Sequence, residues 1–255
     1  FVPTMTQTAQ DDEAIPDDEI DNLPDPLPLD RLPGDDDPDD DVPPDDDLPW
    51  VLPDESLTGT GGRDLLFSGD GNDQVAGAGG NDYLDGGDGD DWLLGQDGDD
   101  ELHGGLGHDQ LSGAAGGDTL LGHVGDDTLW GEAGNDALSG GDGDDGIDGR
   151  EGDAPGAADF LNGGAGNDLL IGSDGDTLHG GDGSDAFAAV SGTTNTVQDF
   201  DVATDTLVVM FDAATAQPSL STVTDDTGLT LLVDGHPAAF LPGVQTIDLD
   251  AVELV

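Results

Sequence analysis

Cysteine is absent from the 255 residues, which excludes a disulfide framework and any thiolate metal site. Lysine is absent too, and three arginines stand against 60 Asp and Glu, for a formal net charge of -57. Nucleic acid and anionic membrane both need Lys and Arg against their phosphates, so neither is expected as a partner. No apolar run approaches the ~18 residues of a membrane span. The opening FVPTMTQTAQ has neither the basic start nor the apolar centre of a signal peptide. It does not begin with Met either, and is read as the start of a processed form or a fragment. What is present in excess is acid and glycine, the latter at 43 residues. Self-repulsion of this size opposes a compact state unless counter-charge is bound, so cations are the partners to look for.

Residues 1–56 form an acidic, Pro-rich segment, read as an extended arm or linker without a core of its own. Apolar residues recur through it, among them Ile20, Leu23, Leu27, Leu29 and Trp50. If the arm is ordered, bound cations or a neighbouring subunit are expected to hold it.

Residues 57–188 repeat with a period of nine, as in GAGGNDYLD (77–85), GGDGDDWLL (86–94) and GQDGDDELH (95–103). The sixth position is Asp: Asp64, Asp73, Asp82, Asp91, Asp100, Asp109, Asp118, Asp127, Asp136, Asp145, Asp168 and Asp185. The eighth is apolar, from Leu66 and Val75 through to Leu170 and Phe187. A merely acidic surface would not hold Asp at every ninth residue. Two stretches break the period. GREGDAPGAADFLN (149–162) carries about five extra residues, making Asp159 the position-six equivalent, and GSDGDTLH (172–179) is one short, leaving Asp176. Sites near both are expected to be altered. Further Asp residues at position three, such as Asp88 and Asp97, either tune affinity or only add charge.

The pattern resembles the G-G-x-G-x-D-x-U-x nonapeptide of the RTX (repeats-in-toxin) calcium-binding proteins. The resemblance implies an all-β fold, a parallel β-roll in which two repeats complete one coil. The first six positions would form a turn and the last three a short strand. Calcium would sit between stacked turns, taking turn carbonyls and the carboxylates of the position-six Asp residues, with Asp159 and Asp176 included. A hard cation that takes 6–8 oxygens suits such a site. One buried Leu per nine Gly-rich residues cannot offset the entropy of ordering them, so folding is expected to require the ions.

Residues 189–255 turn to β-branched and apolar runs, read as a C-terminal β-strand cap over the last coil. LTLLV–DG–HPAAFL is read as a hairpin with Asp234-Gly235 in a type I′ turn. The segments Val197–Phe200 and Asp205–Val208 resemble the region C-terminal to the repeats in RTX proteins exported by type I secretion. That likeness implies a secreted, extracellular or cell-surface protein of a Gram-negative-type bacterium, with the export signal near the C-terminus.

No H-E-x-x-H or G-x-S-x-G occurs, and the five histidines stand singly, so no enzyme is expected. Outward apolar residues at Trp92, Leu94, Trp130, Leu169 and Ile171 recur every four repeats on one expected face. They point to self-association, through that face or the arm, into a filament, matrix or surface layer. The alternative is a calcium-dependent secretion and folding module of a larger secreted enzyme, toxin or adhesin. Ice binding would need outward ladders of Thr and Asn, which the mixed Gln74, Tyr83, Trp92 and Glu101 do not form.

Overall fold

The computed structural model describes residues 54–150, 157–190, 193–210 and 217–255. The acidic arm up to Pro53, and with it the reading of its apolar residues, lies outside the described residues.

Among the described residues the chain winds into two facing sheets, taking one strand for each in turn. The first sheet, here sheet A, contains β1 (Ser56–Thr58), β3 (Gln74–Gly79), β5 (Trp92–Asp97), β7 (Gln110–Ala115) and β9 (Thr128–Ala133). It continues through β11 (Gly146–Asp148), β13 (Leu169–Ile171), β15 (Ala186–Val190), β17 (Thr206–Met210) and β21 (Glu253–Leu254). Sheet B contains β2 (Leu65–Asp70), β4 (Tyr83–Asp88), β6 (Glu101–Leu106), β8 (Thr119–Val124) and β10 (Ala137–Asp142). It runs on through β12 (Phe160–Ala165), β14 (Thr177–Asp182) and β16 (Asn195–Val197). It ends with the antiparallel strands β20 (His236–Pro242), β19 (Gly228–Val233) and β18 (Leu220–Thr224). Along the repeats every pairing is parallel and joins residues two repeats apart, as in Leu84↔Leu102 and Leu93↔Leu111. This is the parallel β-roll that the resemblance to the nonapeptide family implies.

The core is a single file of position-eight side chains. Leu84, Leu93, Leu102, Leu111, Leu120 and Leu129 are each fully buried. At the C-terminal end Leu229, Leu231, Val233 and Leu241 join the same core. The sheets therefore do not stop where the repeats stop: β16 and β17 add a further strand to each, and the hairpin β19–β20 extends sheet B. Asp234 and Gly235 both have positive φ (52° and 81°), as a type I′ turn requires.

The strands are longer than the repeat pattern implies. They run from position seven through position three of the next repeat, six residues in most cases, and only positions four to six form the turn. Pairing skips position one and resumes at position two: Asp85↔His103 is followed by Gly87↔Gly105. The backbone bends there without leaving the sheet. Position two has positive φ, as position four of the turn does, and is filled by glycine in some coils but by Ala78, Gln96, Ala114, His123 and Glu132 in others.

The two irregularities are absorbed in the turns. The pairing interval widens where Ala137 meets Phe160 and narrows where Phe160 meets Thr177, so Leu138, Leu161 and Leu178 stay in one file.

Candidate metal centres

Each turn places its position-six Asp at the edge of the roll, one edge for each crossing between sheets. Along the first edge lie Asp73, Asp91, Asp109, Asp127, Asp145, Asp168 and Asp185; along the second lie Asp64, Asp82, Asp100, Asp118, Asp136, Asp159 and Asp176. The backbone N–H of one donates to Oδ1 of the next in the same row: Asp73 to Asp91, Asp91 to Asp109 and Asp109 to Asp127, each at 2.8 Å. The second row repeats this from Asp82 to Asp100 and Asp100 to Asp118, again at 2.8 Å. The displaced residues keep their place, since Asp136 donates to Asp159 at 2.8 Å and Asp159 to Asp176 at 2.9 Å.

The side chains are almost wholly buried: Asp73, Asp109, Asp118 and Asp168 are each 1% exposed. Their second oxygens have no hydrogen-bond donor, as is also true of Oδ2 in Asp82, Asp91, Asp100, Asp127 and Asp145. A buried carboxylate oxygen without a donor is costly, and here the situation repeats at turn after turn. The surroundings make it costlier still, because those oxygens face carbonyls. A methyl group placed on Gly77 would stand 2.5 Å from Asp82 Oδ2 and 2.9 Å from the carbonyl oxygen of Gly95, one coil further on. Two acceptors thus share a small space that only a missing side chain keeps open. Position one, glycine in the repeats other than that of Ser68, is glycine for that room rather than for a positive φ.

The electrostatics agree. Burial pushes Asp91, Asp127 and Asp168 up to about 6, and Asp109, Asp118 and Asp145 up to about 7. The hydrogen bond from the preceding coil lowers each in part, and neighbouring carboxylates raise it again. A buried carboxylate oxygen without a donor, with a backbone carbonyl nearby as at Asp82, offers the oxygen donors that a hard cation takes. Among the described residues no three His, Asp or Glu side chains converge on one point.

Three positions differ. Asp64 is only partly buried, and its Oδ2 accepts from the backbone (2.6 Å) and hydroxyl (3.0 Å) of Thr60. Asp176 is fully buried, but its Oδ2 already accepts from the Ser173 backbone. In the second row the next residue is Asn195, an amide where a carboxylate stood before.

Sequence reading missed two features of the rows. The first row continues to Asp205, whose Oδ1 accepts from the Asp185 backbone at 3.2 Å; the D-x-L spacing of Asp205 and Leu207 was the available signal. Beside it runs an outer row at position five that points the opposite way along the axis. There Asp90 Oδ1 accepts from the His108 backbone at 2.9 Å and Asp126 Oδ1 from Asp144 at 2.9 Å. Position five of the regular repeats varies among Asn, Asp, His, Gly, Ser and Arg, which hid it. The position-three residues Asp88 and Asp97 lie exposed on the strands, away from the buried rows.

The fold is a parallel β-roll, and the buried carboxylate rows along its two edges are candidate cation sites. The family model described as RTX calcium-binding nonapeptide repeat (4 copies) matches residues 54–84, 85–120, 121–153, 156–187 and 176–192, more than half of the chain. The chain belongs to that family and is a calcium-binding β-roll protein. Members of the family are typically secreted and are not typically catalytic. A search of curated proteins returns no match. Among the described residues no helix is long and apolar enough to cross a membrane.

Proposed function

We propose that the chain is a secreted protein that folds on binding several calcium ions and serves, without catalysis, as a structural component of an extracellular assembly. The observation that carries this reading is the pair of buried carboxylate rows, in which Oδ2 atoms such as those of Asp82 and Asp91 lack donors while facing carbonyl oxygen. The proposed ligands are Asp73, Asp82, Asp91, Asp100, Asp109, Asp118, Asp127, Asp136, Asp145, Asp159, Asp168 and Asp185, with Asp64 and Asp176 binding less tightly because other donors already engage them. Asp205 extends the first row by one.

Assembly is proposed through the outer face of sheet A. Leu94, Trp130 and Ile171 fall in one register column, alternating with Ser112 and Asp148. Trp92 (54% exposed) and Leu169 (41%) lie on the same face. Exposed apolar side chains are not confined to that face, since Leu65, Phe67 and Phe160 stand on sheet B.

Calcium added to the EDTA-treated protein is expected to convert coil to β structure in circular dichroism, with rising light scattering. A coil that never converts overturns the folding reading; conversion with flat scattering removes the assembly reading and leaves a monomeric module. Trp92→Ala with Trp130→Ala is expected to fold at the parent calcium concentration but scatter less. Normal assembly by that variant would exclude the sheet A face. Asp100→Ala removes the acceptor of the buried Asp82 N–H as well as a proposed ligand. Its calcium midpoint is expected to rise, the lost acceptor alone accounting for about 1–3 kcal/mol. An unchanged midpoint counts against the ligand assignment.

A further inference from the structure

We propose that His103 and His123 form a binding site for a divalent transition metal, zinc being representative, on the outer face of sheet B and apart from the calcium rows. His103 lies on β6 and His123 on the neighbouring β8, where the register sets His103 against Leu121 and His123 against Gly105. The two side chains meet in spite of that offset. His123 occupies position two with φ 78°, where several other coils have glycine, and the left-handed backbone turns its ring back over His103. His103 Nδ1 and His123 Nε2 end 3.0 Å apart. Two imidazole nitrogens on one tetrahedral ion at ~2.0–2.1 Å stand about 3.3 Å from each other, so little movement separates the two arrangements.

The tautomer of His103 is prepared as well. His103 Nε2 donates to Glu101 Oε1 at 3.1 Å, which leaves Nδ1 with its lone pair toward His123; His123 Nε2–H donates to it, and that ring must shift its proton to Nδ1 to ligate a metal. A carboxylate behind a ligating imidazole is the arrangement that fixes ring orientation and raises basicity at metal sites. On the other side the Tyr83 ring packs against His103 at 5.0 Å. The open groove beside the pair is also lined by Asp85 and Asp88, and Asp85 is the register partner of His103 on β4. No third His, Asp or Glu side chain converges on the pair among the described residues, so the two imidazoles are the protein ligands and water completes the sphere. Calcium, a hard ion, takes oxygen donors, whereas imidazole suits zinc, copper and nickel. The chemistry therefore separates this site from the buried rows.

The test titrates zinc into the full chain in millimolar calcium by calorimetry, with cobalt absorption as a second readout of nitrogen ligation. The expected result is a single zinc equivalent that excess calcium does not displace. His103→Ala and His123→Gly each lose it, by at least about tenfold in affinity, and Glu101→Gln weakens it by about tenfold. His123→Gly supplies the glycine that other coils have at this position, so its roll still forms with calcium, as circular dichroism checks. Zinc affinity unchanged in His123→Gly, no zinc binding at all, or uptake of many equivalents displaced by calcium would each overturn the proposal.

Discussion

Gly98→Ala is expected to unfold much of the roll at calcium concentrations that fully fold the parent. Gly98 is the position-four residue of its turn, with φ 138°, a conformation that side chains rarely adopt. Its Cβ would also fall on the Gly80 carbonyl oxygen, one coil back, well inside contact distance. That oxygen belongs to backbone and cannot swing aside. The coils must then separate, which breaks the Gly80 N–H to Asp97 carbonyl bond of 2.8 Å and misplaces the turn of Asp100. Backbone strain and overpacking each cost about 1–3 kcal/mol, together on the order of a 100-fold loss in the folding equilibrium. Gly62 supplies the control, because a methyl group there meets nothing within 4 Å. Calcium titrations of both variants by circular dichroism decide the matter. A Gly98→Ala protein as easily folded as Gly62→Ala would mean that the coils are not stacked at this distance.

Acidification is expected to do part of the work of calcium. The buried carboxyls of Asp109, Asp118 and Asp145 are pushed up to about 7, and those of Asp91, Asp127 and Asp168 to about 6, against an ordinary value of 3.8. Burial is the leading cause in all six. A carboxyl whose pKa is higher in the folded state binds protons on folding. Its contribution is fully present below the unfolded value and is lost as pH rises through about 6 to 7. In EDTA the β signal is therefore expected to grow as pH falls from 8 toward 5. In the acid-folded roll proton and calcium compete for the same oxygens, so calcium binding to that form near pH 6.5 should release protons, whereas binding to the coil, whose carboxyls are already ionised, should not. General relief of the -57 charge would also favour compaction, but exposed carboxylates titrate at about 4. A transition centred near 4, with no proton release on calcium binding at pH 6.5, would show that the buried rows are not the groups responsible.

Much of this molecule can be read along the chain because the period is local. Each nonapeptide repeats the same bend, so the spacing together with the family resemblance places Leu84 and Leu102 one above the other, and Asp159 and Asp176 could be carried across an insertion and a deletion. The Asp234-Gly235 hairpin was legible for a similar reason, since the turn type dictates its own residues. Strand length was not. The repeat pattern implies three-residue strands, whereas a strand such as β4 crosses the bend at Gly86 and resumes at Gly87, and nothing in the spelling of a single repeat marks that the ladder closes again beyond position one.

The sequence by itself determined the nine-residue period, the file of buried leucines, the position-six carboxylates and the need for cations to balance a charge of -57. Only the tertiary structure decided that a carboxylate such as Asp100 commits one oxygen to the preceding coil's backbone and leaves the other without a donor. It also decided that the first row ends on Asp205 and the second on Asn195, and that His103 meets His123. Those outcomes depend on how one coil lies over the next: on a positive φ that redirects a side chain, a register that skips a residue, and a space kept open by an absent methyl group. Residue types recur with the repeat, but contacts between coils exist only once the coils are stacked.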